Sequence, residues 1–222
     1  LGEQPDRVFN VGGMGIDALS NIKLLSRTEI ENDLGLSFGA KSLLVTFHPI
    51  TLDTVNSSKL QMVELLNALK SFKDITIIFT APNADTGSNE LLKLVQTFVN
   101  SNANSYLYTS LGQLRYFSCM KQVNGLVGNS SSGLLEAPSF KIGTINIGDR
   151  QQGRLKSKSV IDTAPDTHSI ISAIENLFSA KFQKGLEFVE NPYGEPGASK
   201  MIKEKLESVS LDKIRKKKFH DL

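Results

Sequence analysis

A single cysteine, Cys119, in 222 residues excludes an internal disulfide and fits a reducing compartment. No apolar run approaches the ~20 residues that a membrane helix needs, so no membrane partner is expected. Neither sign of charge is in excess: 25 Lys and Arg against 23 Asp and Glu leave a net +2. That is too little to make nucleic acid or an anionic membrane the main partner. There are three histidines, His48, His168 and His220, far apart in sequence. No Cys or acidic cluster completes a metal site around any of them, so neither a metal nor another cofactor is expected. The first residues, Leu1-Gly2-Glu3-Gln4-Pro5, have no charged leader, no apolar core and no initiating Met. They read as the start of a fragment or a processed chain in the cytoplasm, not as a signal peptide.

What is present is an ordinary globular composition, 40% hydrophobic and 22% charged, with ample length to bury a core. Short β-branched or apolar runs at 8–11, 43–47, 75–79, 106–108, 125–127 and 144–147 predict strands. The two longest are apolar almost throughout, as in strands covered on both faces by helices. Between them, Met62, Leu65, Leu66 and Leu69 repeat at helical spacing, as do Leu91, Leu94, Val95 and Phe98. Ile170, Ile174, Leu177 and Phe178 make a third stripe. After a Gly/Pro turn, a further helix is expected from about Ala198, with Ile202, Leu206 and Val209 on one face and Arg215-Lys216-Lys217-Lys218 beyond it. The β-α-β-α order predicts an α/β fold with a doubly wound, mostly parallel, Rossmann-like sheet.

In such sheets ligands bind beyond the carboxyl ends of the strands. His48-Pro49, Thr80-Ala81-Pro82-Asn83, Gly128-Asn129-Ser130-Ser131-Ser132-Gly133 and Gly148-Asp149-Arg150-Gln151-Gln152-Gly153-Arg154 each follow a strand. In the run 128–136, the first N–H groups of the next helix and the Ser130 and Ser131 hydroxyls suit a diphosphate, with Ser132 and Gly133 completing the turn. Glu136, one turn further on, is placed to accept a ribose diol. A plain serine cap with an exposed Glu is the alternative. Arg150 and Arg154 can fork onto phosphate oxygens or serve as surface charge. His48 and Asn83 can meet a ligand or hold their own loops. Gly12-Gly13-Met14-Gly15 does not fit the G-x-G-x-x-G pattern and reads as a turn.

Taken in order, TFHPIT (46–51), APNADTG (81–87), GNSSSGLLE (128–136), GDRQQGR (148–154) and NPYGEPGAS (191–199) resemble the UDP-N-acetylglucosamine 2-epimerases, from about Pro5 to Leu206. These enzymes share the two-domain GT-B architecture. The His-Pro-Ile-Thr and Asp-Arg-Gln-Gln-Gly-Arg stretches resemble the hydrolysing type, where non-hydrolysing members have His-Arg-Arg-Glu and Thr-Glu-Arg-Pro-Glu. The resemblance implies a C-terminal, UDP-binding half in which Ser130, Ser131, Ser132, Gly133, Arg150 and Arg154 serve the diphosphate region. It further implies Glu136 on the ribose, Asn83 near the sugar nucleotide and His48 in the reaction zone. It implies the reaction UDP-N-acetylglucosamine plus water to N-acetylmannosamine plus UDP, through a 2-acetamidoglucal. It places residues 1–198 in the UDP-binding domain and 199–222 in a helix packing partly on an N-terminal domain, which would supply the catalytic acids. Without that domain the chain is expected to be inactive, and the full-length enzyme is expected to be a homo-oligomer. Sialic acid or another N-acetylated cell-surface sugar is the expected pathway, and the residues do not choose between them. A GT-B glycosyltransferase donor domain and a non-catalytic nucleotide-sugar sensor remain alternatives.

Overall fold

The computed structural model describes residues 2–50, 55–210 and 219–220. Compactness divides the chain in two: Leu1–Asn21 with Tyr193–Leu222, and Ile22–Pro192. Residues 1–21 thus group with the tail, and the helix at Arg27–Leu34 already belongs with the sheet.

The smaller unit contains α1 (Met14–Asn21) and, at its other end, a helix at Ala198–Ser208 that is α9 in chain order. In the larger unit, α2 (Arg27–Leu34), β1 (Lys41–Thr46), α3 (Val55–Lys70), β2 (Ile75–Thr80) and α4 (Ser88–Asn100) come first. There follow β3 (Ser105–Tyr108), α5 (Gly112–Gln122), β4 (Gly125–Gly128) and α6 (Ser132–Leu135). Then come β5 (Gly143–Ile147), β6 (Val160–Thr163), α7 (Thr167–Leu177) and α8 (Ala180–Gly185). The strands form one sheet in the order β3-β2-β1-β4-β5-β6. Every pairing is parallel, with Leu43 opposite Ile77 on one side of β1 and Gly125 on the other.

The sequence explains this arrangement. Leu43, Leu44 and Val45 at the sheet centre are no more than 1% exposed, so β1 is apolar on both faces because both are covered. Alternate side chains point to opposite faces. Leu43, Val45 and Phe47 join Met62, Leu65 and Leu69 of α3, Leu91 and Val95 of α4, and Ile170 and Ile174 of α7 in one buried cluster. All three expected helical stripes thus lie on the same side of the sheet, while α5 and α6 lie against β1 and β5.

Two expectations change. Residues 8–11 form no strand: Val8 is 63% exposed and Phe9 42%, in a unit whose regular elements among the described residues are helices, with no strand to pair with. The Lys205 ammonium lies 4.1 Å from the Phe9 ring centroid instead. Conversely β6, an unexpected strand, is added at the sheet edge, where its half-exposed V-I-D-T pattern is too short to stand out. The expected helix after Ser199 is α9, with Ile202 half-buried and Leu206 exposed. Residues 215–218 lie outside the described residues, as does Thr51.

Candidate active site

The strand order reverses direction between β1 and β4, which makes their carboxyl ends the switch point of the sheet. Close approach there depends on glycine. Gly128 has φ 140°, and a Cβ on it would fall 2.0 Å from the Thr46 carbonyl oxygen. The chain leaving β4 therefore presses against the end of β1, and this delivers Asn129 beside His48.

Asn129 is fully buried. Its Oδ1 accepts the His48 backbone N–H at 2.8 Å, and its Nδ2 donates to the His48 carbonyl at 2.9 Å. Its own carbonyl accepts from Arg150 Nη1 at 3.0 Å and Gln151 Nε2 at 2.7 Å. The loops after β1, β4 and β5 are thereby tied at one residue. The β2 loop joins them through the Asn83 N–H, which donates to His48 Nδ1 at 3.1 Å. Because Nδ1 accepts, the ring proton of neutral His48 resides on Nε2. Burial first, and the positive charge of Arg150 second, push His48 down to about 4, against an opposing pull from Asp85. His48 is therefore neutral at physiological pH.

Over these loop ends opens a cleft of about 400 Å³, lined by His48, Asn83, Thr109, Tyr116, Ser130 and Ser132 among others. Its inner wall includes the Thr46 and Thr80 hydroxyls, 2.8 Å apart. Tyr116 contributes a buried hydroxyl that makes no well-formed hydrogen bond, and burial raises its pKa. No Asp, Glu, Lys or Arg is among the described residues lining the cleft, so His48 is its one imidazole and it holds no carboxylate pair. No group of three or more His, Cys, Asp or Glu among the described residues could hold a metal. The surface is one of hydroxyls, amides and ring donors, suited to a polyhydroxylated or anionic ligand.

Of the expected site residues, the structure brings His48, Asn83, Ser130 and Ser132 onto this cleft. The others sit elsewhere. Ser131 precedes α6, and its carbonyl accepts from Leu134 and Leu135 N–H, both at 2.9 Å. Gly133 is buried, and a Cβ there would lie 2.4 Å from Thr144 Cγ2, so close packing against β5 explains the glycine. The Ser132 and Gly133 N–H groups are already engaged within the turn by Ser130, at 3.4 and 3.3 Å. Arg150 is half-buried behind Asn129, whereas Arg154 is exposed.

The helix after the serines is shorter than the sequence suggests. α6 has only four residues, because Pro138 brings no N–H for the Leu134 carbonyl, and a 3₁₀ turn at Ala137–Phe140 follows. Glu136 thus stands at the joint between the two. Its Oε2 is buried without a hydrogen-bond partner, and burial raises its carboxyl pKa, with Ser132 acting in the opposite sense.

Sequence reasoning missed Asn129, Gln151 and Tyr116. Asn129 stood in the glycine-serine run, but its partner His48 is 81 residues away and the pairing has no local signature. The cleft wall at 109–113 follows β3, an edge strand whose succeeding loop lacked an obvious motif.

A parallel sheet in this strand order, with its cleft at the switch point, defines a Rossmann-like domain corresponding to the C-terminal domain of the GT-B architecture. The model of the UDP-N-acetylglucosamine 2-epimerase family matches residues 1–207, and the chain belongs to that family. It is 37% identical over its whole length to a Campylobacter jejuni GDP/UDP-N,N'-diacetylbacillosamine 2-epimerase (hydrolyzing), covering 58% of that protein. It is 38% identical, again over its whole length, to the Escherichia coli polysialic acid biosynthesis protein P7, covering 56% of it. The chain thus spans little more than half the length of these relatives. Among solved structures, the S. aureus MnaA–UDP co-structure superposes on the whole chain with a TM-score of 0.73. That match is 16% identical, covers 58% of the S. aureus chain and establishes likeness of fold.

Proposed function

We propose that the cleft binds the UDP part of a UDP-N-acetylated hexosamine, as the nucleotide half of a hydrolysing 2-epimerase. The convergence of His48, Asn83, Ser130 and Ser132 on one cleft at the switch point carries this reading. Glu136 does not line the cleft, but it supports the reading from beside Ser132, which does: a buried carboxylate oxygen without a partner is costly, and a ribose diol reaching it would supply the missing donors. Ser130, Ser131 and Ser132, with Arg150 behind them, would stabilise the departing diphosphate by fixed donors and charge. Arg154, exposed on the β5–β6 loop, would reach the phosphates. Gly133 would serve the site through packing.

The hydrolysing subtype is favoured by the name of the C. jejuni relative and by the His-Pro-Ile-Thr and Arg-Gln-Gln-Gly-Arg stretches. In that reaction the C2 proton passes to a base as the C1–O bond breaks, and UDP leaves with the electron pair. Water then adds across the resulting C1=C2 bond to give the 2-epimer. The cleft itself offers no carboxylate for these proton transfers, so turnover needs groups from the remainder of a full-length protein, and this chain alone binds without turning over. The E. coli relative's name favours a sialic acid type of pathway.

Calorimetric titration with UDP, 2'-deoxy-UDP and ADP tests the assignment. UDP is expected to bind, with the deoxy analogue weaker by about ten- to a hundredfold, since a hydrogen bond to a charged group contributes about 1.5–3 kcal/mol. Glu136→Gln should narrow that difference. Equal affinity for UDP and its deoxy analogue would remove Glu136 from the ribose, and absence of UDP binding at millimolar concentration would sink the reading.

A further inference from the structure

We propose that Asn129 is a positioning residue for His48: it grips the His48 backbone through both halves of its side-chain amide. The grip sets the imidazole against the Asn83 N–H, so that Nε2 carries the ring proton and His48 serves the cleft as a neutral donor. Oδ1 on the His48 N–H and Nδ2 on the His48 carbonyl is the one orientation of the amide that satisfies both contacts. Two bonds to one backbone unit fix its rotation as well as its place. Asn129 is itself held by Arg150 and Gln151 on its carbonyl and by its own N–H on the Thr46 carbonyl at 3.3 Å. The Nδ1 contact is 3.1 Å, so a shift of half an ångström in the loop would lose it.

The chemical consequence concerns the direction of proton traffic. With Nδ1 occupied by an N–H and Nε2 already protonated, His48 has no free lone pair to act as a general base. It donates a hydrogen bond to a ligand oxygen instead, and in the epimerase reading, on which this role rests, that oxygen belongs to the sugar nucleotide. Two charged groups bear on the ring: Arg150, which disfavours the imidazolium, and Asp85, which favours it. Since Arg150 is anchored on the Asn129 carbonyl, the same residue holds both the imidazole and a charge that, after burial, disfavours its protonation.

The test is long-range ¹H–¹⁵N correlation on the full chain labelled with ¹⁵N-histidine, with His48 identified by its loss in His48→Gln. The expected result is a single Nε2–H tautomer that shows no conversion to imidazolium between pH 8 and about 5. Asn129→Ser removes the grip without adding charge. It is expected to mix the two tautomers and to raise the titration midpoint by about one unit or more, toward the ordinary histidine value. Asn129→Asp keeps the size of the side chain and is the second variant should Asn129→Ser fail to fold. There the tautomer is the readout, because a new carboxylate raises the midpoint by charge alone. An Nδ1–H or imidazolium His48 in the parent at pH 7, or pure Nε2–H in a folded Asn129 variant, overturns the proposal. UDP titration of the parent separates it from the functional reading. An Nε2–H ring in a protein that does not bind UDP sinks the reading and spares the clamp; UDP binding with an Nδ1–H ring does the reverse.

Discussion

Asp17 accepts hydrogen bonds from the start of α9: from the Gly197 N–H, the Ala198 N–H at 3.0 Å, and the Ser199 N–H and hydroxyl. One carboxylate from α1 thereby caps three of the N–H groups that a helix start leaves unsatisfied. The Ser199 hydroxyl first, then the Gly197 N–H, hold Asp17 down at about 2, below its ordinary 3.8. The sign follows from that depression. The contribution of the cap is complete above 3.8 and is lost as pH falls through about 2. Following the Asp17 carboxyl carbon by NMR should show this midpoint, and Ser199→Ala should move it up toward 3.8. A midpoint unmoved in Ser199→Ala would assign the depression to the backbone N–H groups alone. At this scale the candidate site was half legible. His48, Asn83, Ser130 and Ser132 could be named because polar residues just past an apolar strand must lie at its carboxyl end. Asn129 and the packing role of Gly133 could not, because each is defined by a residue on another strand: His48 for the first and Thr144 for the second.

Elements announce themselves in sequence when one face is apolar over several turns and fall silent when something else forms them. α3 was legible from Met62, Leu65, Leu66 and Leu69, all of which the structure buries. Leu65 is fully buried in the cluster under β1, so Leu65→Ala should destabilise the larger unit by about 2–5 kcal/mol. Chemical denaturation with an unchanged m-value would check that the loss is one of packing. A loss under about 1 kcal/mol would mean that the core closes around the cavity. α2 had no such stripe, since Ile30 is its one buried residue. It was not anticipated, and the signal that could have found it is the Ser26-x-x-Glu29 spacing. The Glu29 N–H donates to Ser26 Oγ at 3.3 Å, and the Ser26 N–H to Glu29 Oε2 at 2.7 Å, as a capping box. The run 8–11 shows the opposite failure. β-branched and aromatic residues favour a strand only where another strand offers its N–H and C=O groups, and the described residues of the smaller unit provide none.

At the scale of the whole molecule, apolar exposure is unevenly distributed between the two units. Among the described residues, Val8, Phe9, Met14, Met201, Leu206, Val209 and Phe219 are exposed in the short unit of Leu1–Asn21 and Tyr193–Leu222, against Leu60, Leu114, Leu155 and Phe188 in the much longer Ile22–Pro192. Of α9, only Ala198 is buried, and its eleven residues are fewer than the ~12–15 at which a helix becomes even marginally stable by itself. Its described supports are the Asp17 cap, a contact with α1 and the Lys205–Phe9 pair. The central strands are the contrary case, with every side chain of residues 43–45 shut away from water. Opening α9 therefore exposes little apolar surface, whereas opening β1 requires the core to come apart. Hydrogen exchange read by mass spectrometry should show amides 200–208 exchanging at least a hundredfold faster than those of 43–45, and Asp17→Asn should widen the gap. Equal protection would mean that α9 is held by contacts strong enough to make it part of the core. Fast exchange would fit a helix whose Ile202 and Leu206, with Val209 just past its end, are covered by the additional length that the C. jejuni and E. coli relatives possess. In that case, joining this chain to such a half should slow amides 200–208 while leaving 43–45 unchanged.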